Sequence, residues 1–359
     1  MARVYNFCAG PAVLPFEVLE EAQSTLVDYR GSGMSLMECS HRGKEYMAVQ
    51  EEAIANLREL LRLPADYAVL LLQGGASGQF AMVPLNLLPA GGIADYTRSG
   101  AWGVKALKEA KLIGKVNVAA DCADEIPTRV PRVEELKYTS GAAYVHITSN
   151  ETISGAQWKE FPKPAAPLVA DMSSDILSRP IDAKQFGLIY AGAQKNLGPS
   201  GVTLVIVRKD LAERAPATIP TIFRYQTHIE NDSMYNTPPC FSVYILMLVT
   251  RWIKKTGLAA LYAQNRAKAA SLYAAIDGSG GYYRGTALQE CRSDMNITFR
   301  LPSEDLEERF AKEASAAGLK QLKGHRSVGG LRASIYNAFP PAGVDALVSF
   351  MREFQKKNG

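Results

Sequence analysis

A lysine and an acid, each closing an apolar run, are the residues of this chain best placed to do chemistry. Lys195 ends the stretch Leu188-Ile-Tyr-Ala-Gly-Ala-Gln-Lys195, and Asn-Leu-Gly-Pro-Ser-Gly201 separates it from the next apolar run. A lysine half removed from water loses its proton more readily than a solvated one. The free amine can then attack a carbonyl and form a Schiff base. Upstream, Asp171 ends the run Pro167-Leu-Val-Ala-Asp171. A strand-end carboxylate with a strand-end lysine is what a pyridoxal phosphate enzyme requires. The acid keeps the pyridine nitrogen protonated and the lysine carries the aldehyde. Both residues also have ordinary structural uses, Asp171 as a helix N-cap and Lys195 as a solvated turn residue.

Further residues converge on the same kind of ligand. Gln73-Gly-Gly-Ala-Ser-Gly-Gln79 follows an apolar run and opens a helix, so its exposed amides can hold a phosphate, although glycine turns before helices are common. There is no G-x-G-x-x-G and no G-K-[ST], which argues against dinucleotides and nucleoside triphosphates. Trp102, in Ser99-Gly-Ala-Trp-Gly-Val104, can stack on a flat heteroaromatic ring or serve as a core residue. Thr152 follows another apolar run and can offer its hydroxyl to a ring oxygen or to a local turn. Two of the four histidines occur as His-Arg pairs, His41-Arg42 and His325-Arg326, and Arg332 lies close behind the second pair. Such donors suit a phosphate or a dicarboxylate, since arginine grips carboxylates with two parallel hydrogen bonds.

These residues need a scaffold that collects strand ends. Apolar runs at 67–72, 93–96, 116–119, 142–148, 167–171, 187–191 and 202–207 alternate with helical patterns at 77–88, 101–111 and 132–138. Continuous rather than alternating apolar runs predict a sheet covered on both faces, hence a mostly parallel one, which binds ligands at the carboxyl ends of its strands. Only about ten residues join 187–191 to 202–207, too few for a parallel crossover, so one antiparallel strand is expected there. Amphipathic helices are expected over 16–29 and 44–63, the second burying Met47, Ile54, Leu57 and Leu61. A long helix over 240–255 precedes a change of character at Gly257. Helices at 258–276, 305–317 and 343–355 then accompany strands at 295–301 and 331–336, giving an α+β unit with one sheet face exposed. The predicted fold is therefore α/β. A large domain, 15–256, carries a mostly parallel seven-stranded sheet with one antiparallel strand, sandwiched by helices. A smaller α+β C-terminal domain spans 257–359, with residues 1–14 packing onto it.

Composition narrows the partners. Forty Lys and Arg against 36 Asp and Glu leave a net charge of +4 with no basic run, which argues against a nucleic-acid footprint. The longest apolar stretch, Cys240 to Val249, is too short to span a bilayer, and no secretory signal is visible. Five scattered cysteines without a C-x-x-C pair point to a reducing compartment, so a cytoplasmic protein without a metal site is expected.

Several segments, read together, resemble the phosphoserine aminotransferase family, a group of class V, fold-type I pyridoxal phosphate enzymes. They are Asn6-Phe-Cys-Ala-Gly-Pro11, Met37-Glu-Cys-Ser-His-Arg-Gly-Lys44 and Asp171-Met-Ser-Ser-Asp-Ile-Leu-Ser-Arg-Pro180. To these are added the Lys195 context, Met234-Tyr-Asn-Thr-Pro-Pro239 and Lys323-Gly-His-Arg-Ser-Val-Gly-Gly-Leu-Arg-Ala-Ser-Ile-Tyr-Asn337. The resemblance implies a homodimer with active sites at the interface and pyridoxal 5'-phosphate on Lys195. It implies that Asp171 pairs the pyridinium, that Trp102 stacks on the ring and that Thr152 bonds the ring hydroxyl. Ala76, Ser77 and Gln194 would hold the cofactor phosphate with Asn236 and Thr237 of the other subunit. His41, Arg42, His325 and Arg326 would clamp the substrate's distal anion, partly in trans, and Arg332 its α-carboxylate.

The implied reaction passes an amino group from L-glutamate to the phosphorylated 2-oxo acid 3-phosphohydroxypyruvate in serine biosynthesis. A related step of pyridoxine biosynthesis is a further candidate. Two departures stand out: Ser77 occupies a place where some members carry arginine, and Cys8-Ala9 one where Ser-Ser is frequent. Two rivals are a cysteine desulfurase of the same class, which needs a reactive cysteine on a mobile loop, and a non-catalytic metabolite-binding protein.

Overall fold

The seven apolar runs become the strands of one sheet. A computed structural model describes residues 3–126 and 128–359. In chain order the strands are β1 (Tyr67–Leu72), β2 (Ile93–Arg98), β3 (Lys115–Asp121), β4 (Val145–Thr148), β5 (Leu168–Asp171), β6 (Leu188–Gly192) and β7 (Thr203–Arg208). Across the sheet the order is β1-β7-β6-β5-β4-β2-β3. β7 is antiparallel to both of its neighbours and every other pairing is parallel, as the short β6–β7 connection requires. Side chains alternate between two buried layers. Val69, Leu71, Leu204 and Ile206 join one core cluster, while Leu70, Leu72, Val205 and Val207 join the other.

Helices cover both faces: α1 (Phe16–Ser24), α2 (Lys44–Leu60), α3 (Gly75–Leu87), α4 (Ala101–Ile113) and α5 (Cys240–Thr256). α1 stops five residues before the expected end. The Thr25 hydroxyl bonds the Glu21 carbonyl and the Tyr244 hydroxyl, fixing the turn. The expected inward face of α2 is also corrected. Met47 and Ile54 are only half-buried, whereas Tyr46, Val49, Gln50, Ala53, Asn56 and Leu57 are buried. Gln50 and Asn56 can lie inside because each finds a partner, the Asp232 carbonyl and the Thr250 hydroxyl. The helix expected over 132–138 is reduced to a single 3-10 turn, Val133–Glu135. Arg129 pins Glu135 at 2.6 Å, and Val133 stays exposed, so nothing extends the turn.

Gly257, at φ +86°, turns the chain from α5 into α6 (Leu258–Asp277). Beyond it come α7 (Glu304–Ala316), α8 (Pro341–Asn358) and a three-stranded antiparallel sheet of Arg284–Gly285, Asn296–Arg300 and Leu331–Ser334. Strand Tyr5–Asn6 pairs with Leu319–Lys320, and Phe7 is buried among Ile297, Phe299, Ala333 and Phe339. The outer face of this sheet is not exposed as expected. Asn296, Thr298 and Ser334 are buried against the larger sheet's loops, with Thr298 bonding the Ser154 carbonyl at 2.8 Å and Asn150 bonding Asn296 at 2.8 Å. Polar alternation here marks an interface whose hydrogen bonds are made internally.

Candidate active site

Strands β1, β2, β4, β5 and β6 run the same way, so the segments that follow them gather at one edge. Asp171 ends β5 and is buried. Its Oδ1 accepts from the Ser173 amide at 2.9 Å and the Ser173 hydroxyl at 2.6 Å; among the described residues no hydrogen bond reaches Oδ2. Burial raises the carboxyl above its usual range, and the nearby Lys195 ammonium pulls it back.

Lys195 lies three residues beyond β6 and is half-buried. Desolvation lowers its amine, while the negative charges of Asp171 and Glu151 oppose that and Arg332 adds to it. The segment 9–12 lies across the lysine. Ala12 N–H donates to the Gln194 carbonyl at 2.8 Å, and a Cβ on Gly10 would stand 3.2 Å from Lys195 Cγ. This places the Cys8-Ala9 departure beside the lysine.

Trp102 sits in the first turn of α4, with Lys195 Nζ 5.0 Å from the centre of its ring. Its indole N–H donates to Thr152 Oγ1 at 2.8 Å. Arg332, on the small sheet, reaches over to donate from Nη1 to the Thr152 carbonyl at 3.1 Å. Lys195, Asp171, Trp102, Thr152, Gln194 and Arg332 are thus brought to one cleft. At the neighbouring strand end, α3 begins after Gly74 with no side-chain cap, so the amides around Ala76 and Ser77 are free to bind an anion.

The remaining candidates lie on turns and loops. His41 and Arg42 lie in the turn before α2, and Arg42 is exposed. His325 and Arg326 occupy the loop before the last small strand, with His325 Nδ1 hydrogen-bonded to the Ser327 hydroxyl at 2.7 Å. Partial burial and the cations Arg332, Arg326 and Lys105 lower the His325 imidazole, so it faces a cationic surrounding. Among the described residues, none of His41, Arg42, His325, Arg326 and Arg332 has a carboxylate partner. Asn236 and Thr237 are exposed, and Asn236 donates to Gln73 Oε1 of its own chain at 3.0 Å, away from Lys195.

Three residues at the cleft escaped the sequence reading. Ser173 repeats a recognisable local pattern, an Asp bonding the amide two residues on. Lys105 lies one turn beyond Trp102 on α4, with Nζ 4.4 Å from the ring centre, a spacing the sequence does show. Glu151 gave no signal, because its partners Trp102 and Gly103 are distant in sequence.

The class V aminotransferase family model matches residues 4–347. A phosphoserine aminotransferase of Niallia circulans is 56% identical, with 99% of each chain covered, and one of Geobacillus kaustophilus is 55% identical at the same coverage. The solved phosphoserine aminotransferase of Bacillus circulans subsp. alkalophilus superposes with a TM-score of 0.96 at 55% identity, covering 99% of both chains. A pyridoxal phosphate-bound one from Trichomonas vaginalis gives 0.94 at 42% identity, covering 98% of this chain and all of that one. With its lysine, acid and indole at the carboxyl edge of such a sheet, the chain belongs to the phosphoserine aminotransferase family of class V aminotransferases.

Proposed function

We infer that the protein is a pyridoxal phosphate-dependent transaminase that exchanges an amino group between L-glutamate and 3-phosphohydroxypyruvate. Its products are O-phospho-L-serine and 2-oxoglutarate, a step of serine biosynthesis. The observation that carries this reading is the meeting of Lys195 and Asp171 beside Trp102, in a chain more than half identical to phosphoserine aminotransferases over its length.

The residues fit the cofactor group by group. The uncapped start of α3, with Ala76 and Ser77, suits the phosphate, assisted by Gln194. Asp171, buried and with Oδ2 free of protein hydrogen bonds, suits a protonated ring nitrogen. Trp102 offers a ring face and Thr152 a hydroxyl already fixed by the indole. When bound, the cofactor accepts the electron pair left on the substrate's α-carbon.

The protein's own residues do the rest. Lys195 would hold the cofactor, and its amine, when free, would take the proton from the substrate's α-carbon and deliver it to the cofactor's carbon. Desolvation shifts its amine toward the unprotonated form that a base needs. Asp171, whose nearby cation in the free chain is Lys195, would hold a protonated ring nitrogen in its place. Arg332, half-buried and among the described residues without a carboxylate partner, receives the α-carboxylate.

His41, Arg42, His325 and Arg326 bind the phosphate or side-chain carboxylate beyond the reacting carbon, so one set of cations serves both acids. In this reading the protein is a cytoplasmic homodimer, and Asn236, Thr237 and part of the clamp act on the other subunit's cofactor. The exposed Val27, Met34 and Met37, ahead of His41 and Arg42, support a covered surface there. A large unit 15–256 and a small unit 257–359, with residues 1–14 packing onto the small unit, belong to the same reading; residues 1 and 2 of that segment lie outside the described ones. The buried Phe7 and the pairing of Tyr5–Asn6 with Leu319–Lys320 support it. The desulfurase alternative is disfavoured by the thiols. Burial pushes Cys39, Cys122, Cys240 and Cys291 upward, Cys122 to about 12, the wrong direction for a sulfur nucleophile.

The test is a pair of half-reactions followed in the visible spectrum. O-Phospho-L-serine and L-glutamate should each discharge the cofactor's absorbance, and serine should do so far more slowly. Serine matching phosphoserine, or a protein that never takes up the cofactor, would remove the assignment.

A further inference from the structure

Glu151 is a fully buried acid at the cleft to which nothing above gives a task. Its Oε2 accepts the Trp102 amide at 3.2 Å and its Oε1 the Gly103 amide at 3.1 Å, with the Ser99 hydroxyl 3.4 Å from Oε1. Those amides belong to the first turn of α4, donors that a helix cannot satisfy itself. The residue at the N-cap position is Gly100, which has no side chain to do so. The cap is therefore delivered from the segment after β4. The glycine is fitted to it: a Cβ at Gly100 would fall 2.5 Å from Glu151 Cδ. The next residue, Thr152, takes the indole N–H of the same tryptophan at 2.8 Å. Consecutive residues thus hold Trp102 at both ends, backbone and ring, with Lys195 Nζ 5.0 Å from the ring centre.

We propose that Glu151 is a positioning residue, a buried acid that caps α4 from outside and thereby fixes the Trp102 indole in the plane against which the cofactor ring lies. This rests on the reading of Trp102 as the stacking residue. The charged groups facing the carboxyl are Lys195, which favours its ionised form, and Asp171, which opposes it. Burial outweighs the two amides and pushes the acid up to about 7, so its charge changes near neutral pH in the cofactor-free chain. A carboxylate at a helix start complements the helix dipole, and a protonated acid does so less well.

The protein has three tryptophans, so the near-ultraviolet dichroism of cofactor-free wild type minus that of Trp102→Phe isolates Trp102. Glu151→Gln keeps the size of the side chain and removes its charge. We expect it to keep the far-ultraviolet spectrum, to lose at least half of the Trp102 band, and to bind pyridoxal 5'-phosphate about five- to tenfold more weakly, the range a lost cap corresponds to. In wild type the same band should weaken as pH falls through about 7. A folded Glu151→Gln with its Trp102 band and cofactor affinity both within twofold of wild type would overturn the proposal. Should the variant not fold, a wild-type band that is flat between pH 5 and 9 would overturn it instead. Trp102→Leu, which has no ring to stack, separates the two readings. If that variant binds the cofactor as tightly as wild type, stacking fails, while the loss of the Trp102 band in Glu151→Gln still shows that Glu151 holds the indole.

Discussion

At the rim of the large sheet Asp171, Glu151 and Thr152 are at most 4% exposed, and each accepts a hydrogen bond from its own chain. The cations His41, Arg42, His325 and Arg326 are built differently. They lie on turns and loops, half-buried or exposed, and among the described residues none pairs with a carboxylate. The hydrogen bonds of the first region are already made within one chain, so it costs little to organise when a ligand arrives. The second is a set of unneutralised charges waiting for an anion, and in our reading for a second subunit. In our reading the first region holds the cofactor by preorganised short-range contacts and the second selects the substrate by charge.

Breaking the rim should have the largest effects. Lys195→Ala removes the base and the cofactor's attachment together, and turnover should fall by at least about 10³-fold, near the upper range for lost proton transfer. Formation of 2-oxoglutarate from glutamate measures it, and activity within tenfold of wild type would contradict the division drawn here. Asp171→Asn should lower turnover about 10²- to 10³-fold, as expected for removing one preorganised electrostatic partner. Its second effect has a definite sign. Asp171 favours the charged form of Lys195, so without it the amine should lose its proton at lower pH still. Cofactor uptake by the free chain, followed against pH, should begin lower in Asp171→Asn than in wild type.

The two regions also differed in how readable they were. The strands were legible because both faces are buried, which leaves runs such as Tyr67–Leu72 without a polar residue. β7 was legible as antiparallel because ten residues cannot make a crossover. Lys195 and Asp171 followed from strand ends alone. The face of α2 was misread because Gln50 and Asn56 are buried with tertiary partners that no local pattern reveals. The 132–138 segment failed for the converse reason: its apolar Val133 has nothing to pack on. Glu151 was illegible because its role is set by two amides at the start of a helix far away in sequence. His41, Arg42, His325 and Arg326 were singled out by type alone, and of these His325 lies close enough to feel the charges of Arg332 and Lys105 at the cleft.

Substitutions in the clamp should therefore act on affinity and leave the cofactor in place. Arg332→Ala removes a half-buried guanidinium, and charge-assisted hydrogen bonds are worth roughly 1.5–3 kcal/mol. KM for both glutamate and phosphoserine should rise about ten- to hundredfold, with the visible cofactor spectrum unchanged.

Salt should produce the smallest change and the sharpest contrast. Between about 0.1 and 1 M the screening length falls from roughly 10 to 3 Å, which weakens exposed charges and leaves buried contacts largely intact. KM for phosphoserine should rise about three- to tenfold across that range, because Arg42 and Arg326 are exposed. Cofactor occupancy, which in our reading rests on a covalent bond to Lys195 and on the buried Asp171, should not move. A KM that ignores salt would mean that the clamp is buried in the assembled enzyme, and the contrast between the two regions would then belong to the isolated chain alone.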